Sequence, residues 1–135
     1  MKLHGTRCRD WEDIAINREN GKSYIYLGDF GDNAHRRSSL TIYKFEEPEV
    51  NKGRDVHISA NKIKHIHVKY PNNKRYDCEA MAVDPYNNDI LLFTKNNGNR
   101  RSHVYRVPHG ARDPKTLEYV TTLPYRQVTG RCKRI

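Results

Sequence analysis

The sequence has 135 residues, 36% of them hydrophobic, and a formal net charge of +9. Its length suits one ordinary domain, and a hydrophobic fraction below the roughly 45–50% of typical domains predicts a thin core. No Cys/His spacing suits a structural zinc site, and no run approaches the roughly 20 apolar residues of a membrane-spanning helix. The basic residues are scattered in pairs, which argues against the clustered face of a nucleic-acid-binding protein.

Short apolar, β-branched or aromatic runs bounded by turn residues predict strands along the whole chain. In chain order these are residues 14–16, 24–27, 40–45, 63–70, 81–83, 90–94, 103–107 and 117–123. No window carries the capped apolar stripe of an amphipathic helix. The sequence therefore predicts an all-β protein.

A block of eight residues occurs twice in the chain. Residues 10–17 read DWEDIAIN, and residues 77–84, which lie 67 positions later, read DCEAMAVD. A repeat of this length built from short β-prone runs is typical of a propeller blade. We therefore predict two four-stranded antiparallel blades, residues 10–70 and 77–124, with residues 125–135 as a basic tail or the start of a further blade.

Trp11 and Cys78 share one position of the repeat, and we expect both to pack in the interior. The three cysteines, Cys8, Cys78 and Cys132, are far apart in the sequence. They permit one disulfide with a leftover thiol in a secreted protein, or three buried thiols in a cytosolic one.

Four blocks carry a resemblance to a known family: DWEDIA (10–15), YIYLGDFGDN (24–33), IYKFEEP (42–48) and DCEAMAVDP (77–85). They resemble an uncharacterised family of bacterial and animal β-propeller proteins with DWEDIA and GDxGDN blocks. This family is similar, more distantly, to calcium-dependent gluconolactonase- and paraoxonase-like propellers and to esterase-like phytase propellers. Its members are about twice as long or longer, so the resemblance implies an incomplete propeller. It also implies an extracellular setting, although the first residues lack the apolar core of a signal peptide.

Acidic residues precede the first strand of each repeat. Asp10, Glu12 and Asp13 stand in the first copy, and Asp77 and Glu79 stand in the second. In a propeller this strand lines the central channel, so we expect the carboxylates to converge on the axis. Crowded carboxylates repel unless a cation neutralises them, and calcium accepts 6–8 oxygen ligands in irregular geometry. The repeat therefore predicts a calcium site.

A glycine turn after the second strand adds Asp29, Asp32 and Asn33 to these oxygen-bearing side chains. The predicted metal ligands are Glu12, Asp13, Asp29, Asp32, Asn33, Asp77 and Glu79. Asp and Asn also form turns by accepting hydrogen bonds from their own backbone, so a purely structural role stays open.

Three neighbouring basic residues, His35, Arg36 and Arg37, predict contact with an anionic ligand, because Arg binds such groups through paired hydrogen bonds. A solvated loop tip is the alternative. His65 and His67 lie two apart on a strand and so share a face, either as metal ligands or as exposed histidines.

The function predicted first is a calcium-stabilised propeller fragment that acts as a scaffold or binding module for a protein or glycan partner. The alternative is a calcium-dependent hydrolase of lactones, esters or phosphoesters, in which calcium polarises the substrate oxygen. Two blades alone do not enclose a pocket, which argues against an enzyme. A basic nucleic-acid-binding protein is a weaker alternative. Unpaired edges near residues 3–7 or 117–123 predict self-association.

Overall fold

The computed structural model of the protein describes residues 1–95 and 101–124. Within these ranges the structure is β-strand with two short 3-10 helices, Ala60–Lys62 and Pro71–Asn73. The strands are β1 (Lys2–Leu3), β2 (Trp11–Glu19), β3 (Lys22–Asp29), β4 (Leu40–Glu46), β5 (His57–Ile58), β6 (Lys64–Lys69), β7 (Cys78–Val83), β8 (Ile90–Thr94), β9 (Arg101–Arg106), β10 (Lys115–Thr116) and β11 (Glu118–Pro124). No helix in the described part of the chain is long and apolar enough to span a membrane.

Two main sheets contain most of these strands. The first has the order β10-β6-β4-β3-β2 and the second β11-β9-β8-β7. Pairing is antiparallel except at β10, which adds two residues parallel to β6. The prediction of an all-β fold with antiparallel sheets is confirmed. The described residues form no closed ring. The predicted basic tail or further blade at residues 125–135 and the predicted loop at residues 96–99 lie outside the described residues.

The main core lies between the two sheets. It combines buried side chains of both, among them Tyr26, Leu40, Ile42, Ile66 and Val68 from the first sheet and Met81, Ile90, Leu92 and Tyr105 from the second. Strand β4 also buries its opposite face, where Tyr43 and Phe45 pack with Ile58 and Leu3. The short parallel pair of β1 and β5 supplies those last two residues, so it covers the outer face of the first sheet.

The two repeats share a local irregularity. Between β2 and β3 the pairing runs from Trp11–Asp29 to Asp13–Gly28, which leaves Glu12 as an extra residue. Between β7 and β8 the register shifts in the same way and leaves Glu79 unpaired. A bulge of this kind bends the strand and changes the direction of the extra side chain. Both glutamates of the repeated block therefore occupy bulges.

Trp11 and Cys78 have different surroundings, although they share a repeat position. Cys78 is fully buried in the core between the sheets, and burial raises the pKa of its thiol to about 12. Trp11 is 39% exposed, contrary to the prediction. The pairing of Trp11 with Asp29 puts it on the outer face of the first sheet, which the second sheet does not cover. Cys8 is an exposed free thiol, which does not agree with the alternative of three buried thiols.

Candidate metal centre

Three carboxylates from the two repeats converge where β2 and β7 lie alongside each other. One oxygen each of Glu12, Asp77 and Glu79 lies within 4.8 Å of the other two. Glu12 and Glu79 are the bulged residues, and Asp77 directly precedes β7. Neither repeat alone contains this site, because it forms at the junction between them.

Asp77 is the buried member of the group, with 1% of its surface exposed. Its Oδ1 accepts a hydrogen bond of 2.7 Å from the backbone N–H of Asp32. Its Oδ2 has no hydrogen-bond donor, although the Nζ of Lys95 lies 3.4 Å away as an ion pair. A buried carboxylate oxygen without a donor has lost its hydration without full replacement, which is costly. This oxygen therefore has free capacity for a cation.

Lys95 provides the positive charge that the second repeat places at the cluster. Its Nζ lies 2.8 Å from Oε1 of Glu79 and donates a hydrogen bond of 3.2 Å to Oδ1 of Asn33. The hydrogen bond with Glu79 raises the pKa of the Lys95 ammonium above its ordinary value. The side chains of Lys95 and Glu79 are 43% and 41% exposed. Since solvent can hydrate both groups, this ion pair can open without burying an unpaired charge.

The first repeat has no lysine at the equivalent place. The backbone N–H of Lys95 donates to the Asp77 carbonyl at 2.7 Å, and the N–H of Gly31 donates to the Asp10 carbonyl at 3.2 Å. A Cβ on Gly31 would lie only 2.4 Å from Oδ2 of Asp10 and 2.6 Å from Oε1 of Glu12. Gly31 is therefore the equivalent of Lys95, and carboxylates of the first repeat lie beside it where the second repeat has a cationic side chain.

The Glu12 carboxyl titrates abnormally as a result. Its burial raises its pKa above the ordinary value, and the charges of Glu79, Asp10 and Asp77 and a hydrogen bond with Asp10 raise it further. Among the described residues Lys95 is the cation paired with this cluster, and the neighbouring carboxylates disfavour the charged form of Glu12. A bound divalent cation would offset this repulsion.

Comparison with models of protein families, with curated proteins and with solved structures gives no match to this chain. The likeness to propellers accordingly rests on the sequence blocks quoted above. The interpretation of the carboxylate cluster rests on its geometry.

Asp13, a predicted ligand, lies outside the cluster. Its Oδ1 accepts the N–H of Ile14 at 2.8 Å and its Oδ2 the N–H of Met81 at 2.7 Å. The second bond joins β2 to β7, and a bond of 2.7 Å between the amides of Asn17 and Asn88 joins the repeats again near the other end of β2. Asp13 therefore aligns the strands that carry the cluster and is not itself a candidate ligand.

Asp29 and Asp32 also have their oxygens occupied by the protein. Asp29 accepts the backbone N–H groups of Arg9 and Asp10 at 3.2 and 3.0 Å, and Asp32 those of Arg36 and Arg37 at 2.8 and 2.9 Å. For these two residues the geometry agrees with the structural alternative. Asn33 is exposed, and among the described residues it contacts the cluster through its bond to Lys95.

The predicted basic loop has a different arrangement from the one expected. The Arg37 side chain is buried and donates to Oδ1 of Asp29 and to the Gly31 carbonyl, both at 3.0 Å. It is a structural ion pair, so the prediction of Arg37 as a loop-tip ligand group needs correction. His35 and Arg36 are exposed, and Nδ1 of His35 lies 2.9 Å from the Arg75 carbonyl.

Lys95 and Gly31 are the site residues that sequence reasoning did not single out. Each lies just after the second strand of its repeat, where its backbone N–H donates to the carbonyl of the Asp that begins the repeated block. Their equivalence can be recognised only after the two bulges are aligned.

Proposed function

We propose that the protein is a calcium-stabilised β-scaffold of propeller type, in which one Ca²⁺ joins the two repeats through Glu12, Asp77 and Glu79. The observation that carries the proposal is the buried Asp77 carboxylate, whose Oδ2 lacks a hydrogen-bond donor and which has an oxygen within 4.8 Å of oxygens of Glu12 and Glu79. The repeated bulges and the side-by-side first strands of two four-stranded antiparallel arrays support the propeller part of the proposal. Partner binding on such a scaffold would be a property of its loops.

The spacing of the oxygens suits a calcium ion. With Ca²⁺–oxygen distances of about 2.3–2.6 Å, two ligands of one ion can be up to about 5 Å apart. The three carboxylates already lie within 4.8 Å of one another. Ca²⁺ also accepts irregular sets of carboxylate and carbonyl oxygens, whereas Mg²⁺ needs a near-ideal octahedron and retains more water. We therefore propose calcium as the cation.

Binding requires Lys95 to withdraw from Asp77 and Glu79. The exposure of its side chain gives the ammonium a hydrated position to move to. Asp10, whose carboxylate lies with that of Glu12 beside Gly31, can then add a fourth carboxylate, with water completing the coordination. The proposed exchange replaces one charge on a flexible side chain by two charges at the centre of the cluster.

Calorimetric titration with CaCl₂, together with thermal unfolding in CaCl₂ and in EDTA, tests the proposal. A cation that binds only the folded protein stabilises it by a free energy of RT ln(1 + [L]/Kd), so it must raise the melting temperature. We expect a shift of several degrees and at least a tenfold loss of affinity in Glu79→Gln. Glu46→Gln is the matched control, because Glu46 forms a comparably exposed ion pair with Lys22 in the first sheet. A cooperative melt that ignores calcium would contradict the proposal and leave Lys95 as the permanent counter-ion.

The hydrolase alternative remains a prediction from the sequence resemblance. A cavity of about 900 Å³ lies around Lys44, Glu47 and Arg54, and it includes none of the three clustered carboxylates. No observation at the cluster favours catalysis over cation binding, so we propose the scaffold.

A further inference from the structure

A second site of opposite charge lies on the outer face of the first sheet. Here a cavity of about 330 Å³ is lined by Arg7, Arg9, Arg37 and His67, with Asp29 as the one carboxylate among its described lining residues. Asp29, Thr41 and His67 form one cross-strand row over β3, β4 and β6. The chain before β2 passes over this row and contributes the first two arginines.

The backbone of that segment is anchored at both arginines. The Tyr43 hydroxyl accepts the N–H of Arg7 at 3.2 Å and donates to the Arg7 carbonyl at 3.0 Å. The N–H of Arg9 donates to Oδ2 of Asp29 at 3.2 Å. Within residues 1–95 and 101–124 neither guanidinium has a carboxylate partner. Two exposed arginines thus line the cavity on an anchored backbone, without a carboxylate partner among the described residues.

The one carboxylate of the cavity cannot compensate them. Asp29 is 1% exposed, and its oxygens accept two backbone N–H groups and the Arg37 guanidinium. The Asp29–Arg37 pair is neutral overall, so the net charge of the wall comes from Arg7 and Arg9. Arg37 also donates to the carbonyl of Gly31, and none of the three clustered carboxylates is among the described residues that line the cavity.

Further hydrogen-bond donors line the same wall. His67 Nδ1 lies 3.1 Å from Oγ1 of Thr41, and when Thr41 donates to it the other ring nitrogen carries the proton. Ser39 adds a hydroxyl. Arginine forks match the oxygen geometry of phosphate and sulfate, and a volume near the lower end of small-ligand pockets leaves room beyond the anion itself.

We propose that this cavity binds a tetrahedral dianion, phosphate or sulfate, held by the guanidinium groups of Arg7 and Arg9. It would then be a second ligand site on the scaffold, independent of the cation site. A ligand with such a group would place its charged end between the two arginines and the rest of the molecule toward His65 and Tyr43.

Calorimetric titration of the full chain with sodium phosphate and with sodium sulfate tests the assignment. EDTA is present throughout, so the result does not depend on calcium. We expect saturable binding and at least a tenfold loss of affinity in the Arg7→Gln/Arg9→Gln variant. Arg18→Gln/Arg54→Gln is the control, since it removes the same charge from two exposed arginines away from the cavity. The control should stay within about twofold of the wild type, and melting curves of both variants show that they fold.

Two outcomes would overturn the proposal. One is no saturable binding of either anion below about 10 mM, which corresponds to an interaction too weak for a built site. The other is an equal loss of affinity in both double variants, which would reduce the effect to the overall charge of +9.

A pair of sugar esters distinguishes the possible sources of the anion. Glucose 6-phosphate and glucose 6-sulfate carry the same sugar, so the tighter of the two identifies a phosphorylated or a sulfated ligand. Binding of the free ions that neither ester improves would identify the inorganic anion as the ligand.

Discussion

Glu12 and Glu79, 67 positions apart in the sequence, occupy the same bulge of two neighbouring sheets and bring carboxylate oxygens within 4.8 Å of each other. Two identical local irregularities therefore create one shared feature. In a regular strand successive side chains point to opposite faces of the sheet, so without the bulges the position of each glutamate would fix the face to which it points. The extra residue releases them from that constraint and lets both point toward the junction.

Replacement of Lys95 by methionine should affect the metal-free and the calcium-bound protein in opposite ways. Without the ammonium, Asp77 and Glu79 face each other uncompensated, so the melting temperature in EDTA should fall. Calcium no longer has to displace a competing cation, so its affinity should rise severalfold. Lys22→Met, which breaks the exposed pair with Glu46, is the control and should leave calcium affinity unchanged. An unchanged calcium affinity in Lys95→Met would show that the lysine does not compete for the site.

Alanine at two glycines should separate the site from the fold. A Cβ on Gly31 meets the flexible ends of Asp10 and Glu12, which can move aside. We therefore expect Gly31→Ala to weaken calcium binding with little loss of stability. A Cβ on Gly28 would lie 1.8 Å from the ring of the fully buried Phe30, so Gly28→Ala should cost about 3 kcal/mol of stability through overpacking. Urea unfolding of both variants checks this contrast, and equal stability losses would contradict it.

The stability of the metal-free protein should carry a pH dependence that originates in Glu12. Because the folded-state pKa of this carboxyl is raised, its contribution is fully present below the unfolded value of about 4.3 and is lost as pH rises through the folded value. Glu19 acts in the opposite direction: Lys44 and Tyr26 outweigh its burial and lower its pKa, so its contribution is lost as pH falls. The difference between wild type and Glu12→Gln isolates the first effect. Unfolding free energies in EDTA should converge at low pH, with the variant more stable near neutral pH.

Self-association should depend on apolar residues along β11, the outer strand of the second sheet and one of the two predicted edges. Tyr119 and Val120 are 57% and 50% exposed there. We expect light scattering to show a molar mass that grows with concentration, and Val120→Lys to reduce it, because a charge on an edge strand opposes further pairing. Val50→Lys changes an apolar residue outside the sheets and serves as the control. A monomer at all concentrations would contradict the prediction.

Much of the fold could be predicted because it depends on local pattern. The strands around Tyr26, Ile42 and Leu92 follow from β-prone runs bounded by turns. The parallel contact of β10 with β6 and the pair formed by β1 and β5 involve two residues each, and no periodicity reveals so short a non-local pairing. The exposure of Trp11 could not be predicted either, since it depends on which sheet face lacks a neighbour.

The sequence predicted the type of residue in the candidate site better than it predicted which residues belong to the site. Glu12, Asp77 and Glu79 were among the predicted ligands, and they do converge. Asp13 and Asp29 have the same chemistry, but their oxygens accept N–H groups that only the folded chain brings near. What distinguishes a free carboxylate from an occupied one is its set of hydrogen-bond partners, which the sequence does not contain.

The carboxylate cluster forms between two copies of a repeat, so its presence depends on the number of copies. Each copy brings one acidic pair, and a pair becomes a multidentate ligand set only beside another copy. Under the proposed function, deleting a copy would therefore abolish cation binding instead of halving it, and each further copy in the same series would add a junction with its own acidic pair.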